Sequence, residues 1–185
     1  VSIESLKSKK YNVQDAKSAY ESLKSDKVKE KPLFSILEYP ESKNVRVTFT
    51  KINDYEAKKG VVNVALIGAS SFAQGVHLPN IQKLRKKIAL RAVISRTGST
   101  AKAIAKQYEA EYCSTNFKEA LTDTNIDLTL IATRHNLHGQ MVLDSLKAGK
   151  HTFVEKPLAI SYEELEKIEL FYKNNDHTPL LMVGF

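Results

Sequence analysis

From Val61 onward, short apolar runs alternate with longer stretches whose apolar residues recur at helical spacing, and this rhythm constrains the fold more than anything else in the chain. The runs are "VVNVALIG", "IALRAVIS", "AEYCS", "DLTLIAT", "HTFVE" and "PLLMVGF". Between them lie a helical segment reaching about Lys86, then "STAKAIAKQY", "NLHGQMVLDSLKAG" and "SYEELEKIELFYKN". Strands that are apolar throughout must be covered on both faces, which helices achieve when the strands run parallel. The expectation is therefore an α/β fold, a doubly wound parallel sheet with its ligands at the carboxyl ends of the strands.

Local chemistry supports the helices. Ser99 or Thr100 is expected to cap "STAKAIAKQY", with Ala101, Ile104, Ala105 and Tyr108 facing inward. Leu137, Met141 and Leu146 form the inward stripe of the next helix, which Gly149 stops. Ser161 and Glu164 stand in capping-box spacing at the start of the last. Ahead of this region, residues 1–49 hold one helical stripe (Val13, Ala16, Tyr20, Leu23) and two strand candidates, "LFSILEY" and "VRVTF". One helix and two strands cannot bury a core alone, so a short α+β appendage that docks loosely is expected. "KINDYEAKKG" reads as a polar linker over 50–60.

Composition removes several classes. The 185 residues, 42% hydrophobic and 26% charged, suit one soluble domain with something appended. No run approaches the roughly 20 apolar residues of a membrane span, and "VSIESLKSKK" is no signal peptide. Cys113 is the lone cysteine, so no internal disulfide forms, and a reducing cytoplasm fits. The formal charge is +7, but Lys7, Lys9, Lys10, Lys24, Lys27, Lys29 and Lys31 are interleaved with acidic residues. No nucleic-acid-reading motif accompanies them, so a solvated face is the reading, and an anionic small ligand would share the bias.

The strand ends carry the chemistry. "GASSFA", Gly68 to Ala73, follows the first strand as a G-x-G-x-x-A turn with Ser70 in place of the second glycine. Gly68 permits the tight turn, and Ala73 lets the helix approach the sheet. Ser70, followed by Ser71 and Phe72, should lie where backbone meets pyrophosphate, and its hydroxyl can donate to a phosphate oxygen. Alone, such a turn is as compatible with an ordinary strand-to-helix connection. After the second strand, Ser95 and Arg96 stand where NAD sites usually carry an acidic residue, and the guanidinium fork suits a 2′-phosphate. His135 and His138 lack a third ligand cluster, so no metal is expected. Lys156, in "EKP" after the fifth strand, is the best-placed ionisable group around the crevice.

"VALIGASSFA", "IATRHNLHGQMVLDSLKAGKHTFVEKPLAIS" and "LLMVGF" together resemble the N-terminal Rossmann half of the glucose–fructose oxidoreductase / inositol dehydrogenase family, Gfo/Idh/MocA, over residues 61–185. The resemblance implies a nicotinamide cofactor, NADP by the Arg96 argument and NAD as the alternative, with sugar-like substrates. It implies that Lys156 reaches the nicotinamide and the reacting hydroxyl, that Thr133, Asn136 and His138 line the cleft, and that Glu155 lies beside the nicotinamide ribose. Ser70 for glycine departs from the family, as does Arg134 where proline is frequent. The family's second domain, with the substrate pocket, would begin past Phe185, so this chain alone should not turn over. Residues 1–40 resemble the last helix and strand of a zinc-type alcohol dehydrogenase domain. That order resembles bi-domain oxidoreductases associated with surface-polysaccharide synthesis. A homo-oligomer is compatible with this reading, and a non-catalytic NADP-binding sensor or interaction module is the alternative to an enzyme.

Overall fold

The computed structural model describes residues 8–24, 32–39, 48–54 and 60–184. The chain divides into two compact units, Val1–Arg46 and Val47–Phe185. In the first, β1 (Ser8–Asn12) passes through a short 3-10 turn into α1 (Ala16–Lys24) and on to β2 (Phe34–Glu38). β1 and β2 pair in parallel, Ser8 opposite Phe34 through Asn12 opposite Glu38, with Lys10 and Glu38 in an ion pair at 2.9 Å. The helix and β2 stand where the sequence suggests. β1 does not announce itself, because "SKKYN" has no apolar alternation. The expected helical stripe also differs. Ala19 is the buried residue, while Tyr20 and Leu23 are exposed.

The second unit holds a seven-stranded sheet in the order β3-β6-β5-β4-β7-β8-β9. Its strands are β3 (Phe49–Lys51), β4 (Val62–Ile67), β5 (Ile88–Ile94), β6 (Tyr112–Ser114), β7 (Leu128–Ile131), β8 (His151–Val154) and β9 (Leu181–Val183). From β6 to β9 every pairing is parallel. Counting from β4, this is the doubly wound order 3-2-1-4-5-6, with its topological switch point between β4 and β7. Alternation along β4 shows why it is buried on both faces. Val64 and Leu66 join a core with Ala73, Leu78, Ala101 and Ile104. Ala65 and Ile67 join the opposite core with Ala120, Val142, Leu146 and Ile168.

The helices that supply those residues are a continuous run ending in α2 (Leu78–Lys83), α3 (Gly98–Gln107), α4 (Phe117–Thr122), α5 (His138–Lys147) and α6 (Tyr162–Lys173). α2 stops at Lys83, a turn short of the expected Lys86. Thr97, in extended backbone, is the N-cap of α3 in place of Ser99 or Thr100, and its hydroxyl bonds Thr100 Oγ1 at 2.8 Å. Ala101, Ile104 and Ala105 are buried as expected. In α5 Leu146 is buried but Leu137, in the preceding 3-10 turn, is exposed. Ser161 Oγ accepts from Glu164 N at 3.2 Å, and Glu164 Oε2 returns to Ile160 N at 3.0 Å, so the capping pair forms with its return bond one residue earlier.

The edge of the sheet departs most from the sequence reading. Phe49–Lys51, expected partly as the appendage's strand and partly as linker, pairs antiparallel with β6 and belongs to the second unit. Phe49 stacks on Tyr112 at 4.8 Å, Thr48 Oγ1 donates to Glu119 at 2.6 Å, and Asn53 Nδ2 donates to Ala110 O at 2.9 Å. An unpaired edge leaves N–H and C=O groups open, and β3 satisfies those of β6. Residues 45–47 and 55–59 of these segments lie outside the described residues.

Candidate functional site

The carboxyl ends of β4, β5, β7, β8 and β9 bring most of the chemistry to one rim. Gly68 leaves β4 with φ +94°, and its N–H donates to Ile94 O at 2.8 Å. A Cβ at this position would lie 2.6 Å from Ala132 O and 2.8 Å from Thr133 Cγ2. Glycine is thus required twice, by the left-handed backbone and by the close approach of the β7 loop. That contact places the first turn directly against the second, at the switch point.

Ser70 has a local role that its sequence position did not advertise. Its Oγ accepts from Ala73 N at 3.2 Å and its carbonyl accepts from Gln74 N at 3.0 Å. It therefore caps the helix, which is what serine does best at such a position. Accepting this bond leaves the hydroxyl proton available to a second partner. Among the described residues the N–H groups of Ser71 and Phe72 have no acceptor, as expected for a first helical turn. Gly68, the free N–H groups and the Ser70 hydroxyl together make a turn that fits a diphosphate. Ala73 is fully buried against the sheet.

Ser95 follows β5 and its N–H donates to Ser114 O at 3.0 Å, which fixes the strand end. Arg96 is exposed, and its guanidinium has no partner among the described residues. After β7, Thr133 is half-buried, with its Oγ1 3.8 Å from Met141 Sδ, and Asn136 is exposed in the 3-10 turn. After β8 come Glu155, half-buried, and the exposed Lys156, whose peptide bond to Pro157 is cis. Glu155 N donates to Ile131 O at 2.9 Å, so the EKP turn leaves the sheet beside the β7 loop.

His138 differs from the expectation that it lines the crevice. It is only 1% exposed, with Nδ1 2.7 Å from Pro157 O and Nε2 3.3 Å from Thr133 O. Both partners are carbonyls, and a neutral imidazole carries one N–H, so the shorter contact is the donated bond. The ring joins the β7 loop to the EKP turn from below. His135 meets it edge-on at 5.7 Å. Cys113 is buried, and burial pushes its thiol above the ordinary range, away from nucleophilic chemistry.

One residue of the rim escaped sequence reasoning. His77, in the wide π-turn Ala73–His77, places Nε2 2.6 Å from Glu155 Oε1. A lone histidine before Leu78 and Pro79 fits no periodic or motif pattern, and only the fold brings it to the EKP turn.

Residues 62–185 match the oxidoreductase family GFO_IDH_MocA, described by an NAD-binding Rossmann fold. The chain is similar to 4-carboxy-2-hydroxymuconate-6-semialdehyde dehydrogenase of Sphingobium sp., 31% identical over 124 residues, 66% of this chain and 38% of that protein. Its fold is similar to that of a 3-ketoreductase from Actinomadura kijaniata in complex with NADP and TDP-benzene. There the TM-score is 0.60 at 23% identity, over 67% of this chain and 37% of that one. Biliverdin reductase from Synechocystis sp., in complex with biliverdin and NADP+, superposes with TM-score 0.57 at 26% identity, over 66% and 37% of the two chains. The chain thus spans less than two fifths of each of these relatives.

Proposed function

The chain belongs to the GFO_IDH_MocA oxidoreductase family, and from that premise we propose that it is the dinucleotide-binding half of an enzyme moving a hydride between NADP and a sugar or nucleotide-sugar. The observation that carries the proposal is the convergence of Gly68–Ala73, Arg96, Thr133 and Glu155–Lys156 on one rim of the sheet, around its switch point. Ligands of doubly wound sheets bind there for a topological reason: adjacent loops diverge and leave a crevice.

Each residue has a task that its geometry supports. Gly68 and the N–H groups of Ser71 and Phe72 hold the pyrophosphate, with Ser70 Oγ–H adding a donor. Ser95 fixes the strand end from which Arg96 offers its fork to a 2′-phosphate; NAD, lacking that group, gains nothing from it. Thr133 and Asn136 line the opposite wall. Glu155 accepts from a ribose hydroxyl. When bound, the nicotinamide supplies the hydride chemistry. Lys156 extends from the same turn, and its ammonium orients and polarises the reacting oxygen of the substrate. His138, at the start of α5, buttresses this arrangement through its bond to Pro157 O. Substrate contacts and proton transfer are completed by a further domain. Residues 1–49 we read as the end of a preceding zinc-type alcohol dehydrogenase-like domain; the β1-α1-β2 parallel unit is compatible with that origin. A setting in surface-polysaccharide synthesis follows from the same resemblance.

Titration of this chain with NADPH and NADH by fluorescence tests the binding half. Saturable binding, tighter for NADPH, is expected, and absence of binding at millimolar cofactor would refute the reading. In a full-length protein, Lys156→Ala should lower turnover while leaving cofactor affinity within a few-fold. Binding without any Lys156-dependent turnover would favour the non-catalytic sensor.

A further inference from the structure

Resting on the proposed function, the geometry points to His77 as a positioning residue that fixes the Glu155 carboxylate for the ribose of a bound nicotinamide nucleotide. His77 Nε2 lies 2.6 Å from Glu155 Oε1, and the two side chains are only 14% and 20% exposed. A pair this shielded is far less weakened by water than a surface contact. The imidazole is itself held. Phe72 and Phe153 meet it edge-on, each with ring centroids 5.4 Å away. Glu155 is also seated from the β9 side, where a Cβ on Gly184 would stand 3.1 Å from Oε1.

The consequence lies in which oxygen remains. His77 engages Oε1, while Oε2 has no partner among the described residues and is the oxygen left for a hydroxyl. Without His77 the carboxylate would be free to rotate about its last torsion, a broad and roughly two-fold well. Placement of His77 depends on the π-turn. One extra residue within Ala73–His77 shifts the register of the helix, and such bulges are frequent at functional sites. The helix that begins at the diphosphate turn thereby also sets the ribose end of the crevice. His77 touches neither substrate nor reacting atoms in this scheme and acts only through Glu155.

The test is a double-mutant cycle on this chain, read by NADPH fluorescence titration at fixed pH and salt, with melting temperatures measured alongside. His77→Leu keeps volume and removes the donor; His77→Gln keeps a donor. The expected result is five- to twentyfold weaker binding for His77→Leu and for Glu155→Gln, and no further loss in the double variant. His77→Gln should stay within threefold of the unaltered chain. If His77→Leu fails to fold, His77→Asn, whose amide is too short to reach Glu155, replaces it in the cycle. Unchanged affinity in the donor-less variant, losses that multiply, or His77→Gln as weak as His77→Leu would each overturn the positioning role while leaving the cofactor reading intact. No binding by the unaltered chain would overturn both.

Discussion

Ser70 and Arg96 illustrate how a single side chain can be read from sequence and still acquire a second meaning in the fold. Ser70 fills a glycine position, and its Oγ accepts from Ala73 N. Ser70→Ala should lower stability by about 1 kcal/mol through the lost cap, whereas Ser70→Gly should cost only a few tenths. For cofactor the order reverses: glycine relieves crowding at the pyrophosphate, so Ser70→Gly should tighten NADPH binding by up to about tenfold, roughly 1.4 kcal/mol. Urea denaturation and NADPH titration on the same pair of variants read the two effects separately. Weaker binding in Ser70→Gly would show that the hydroxyl, not the crowding, dominates. Arg96 is simpler, being exposed with no competing partner among the described residues. Arg96→Ala should weaken NADPH by about 1.5–3 kcal/mol, the range for a hydrogen bond to a charged group, and leave NADH nearly unchanged. Calorimetry with both cofactors checks this, and equal losses would remove the 2′-phosphate assignment.

At the scale of elements, the irregular points matter most. β5 carries a bulge, since Val64 faces Leu90 while Ala65 faces Ala92. The extra residue, Arg91, is buried and pairs with Glu111 and with Asp123 at 2.7 Å, so a charged residue sits inside an apolar strand held between two carboxylates. Tyr112 on the neighbouring strand lies in the same cluster. Burial, and next the nearby Asp123 carboxylate, hold its phenol protonated well above the ordinary range. Above about pH 10 the unfolded chain releases this proton and the folded chain does not, so the native state binds more protons and stability falls as pH rises. Tyr112→Phe should therefore change stability at pH 7 by no more than about 1 kcal/mol and flatten the decline above pH 10. Tyr172, also raised by burial, leaves part of the decline in place. Denaturation midpoints from pH 8 to 11 for the two proteins measure it; identical curves would exclude Tyr112 as a source.

For the whole molecule, the boundary between units is the testable quantity. Val47 opens the second unit, and β3 closes one edge of its sheet. A chain starting at residue 47 should bind NADPH within about twofold of the 185-residue chain, because every rim residue is retained. Starting instead at residue 61 removes β3, its stacking of Phe49 on Tyr112 and its bonds to Ala110 and Glu119. One aromatic pair, two side-chain hydrogen bonds and the backbone bonds made by Thr48, Ile52 and Asn53 put the loss on the order of 4 kcal/mol, and the bared β6 edge should promote association. Comparable stability and solution state for the two truncations would mean that β3 contributes nothing to the sheet.

The apolar strands and amphipathic helices after Val61 were legible in sequence because burial writes itself as periodicity, and a parallel sheet follows from covering both faces. Gly68, Ser70, Arg96 and the EKP turn could likewise be placed at strand ends, since strand order needs only connection lengths and chirality. What no local pattern holds is the meeting of distant side chains. β3 joined a strand more than sixty residues later in the chain, as Thr50 opposite Cys113 shows; His138 turned inward to two carbonyls; and His77 met Glu155 across seventy-eight positions. Periodicity reports how each residue relates to water, which every segment of the chain carries for itself. Pairing of two polar groups depends on where two separate segments end, and that is decided only when the sheet has twisted, the helices have packed and the loops have been drawn to one rim.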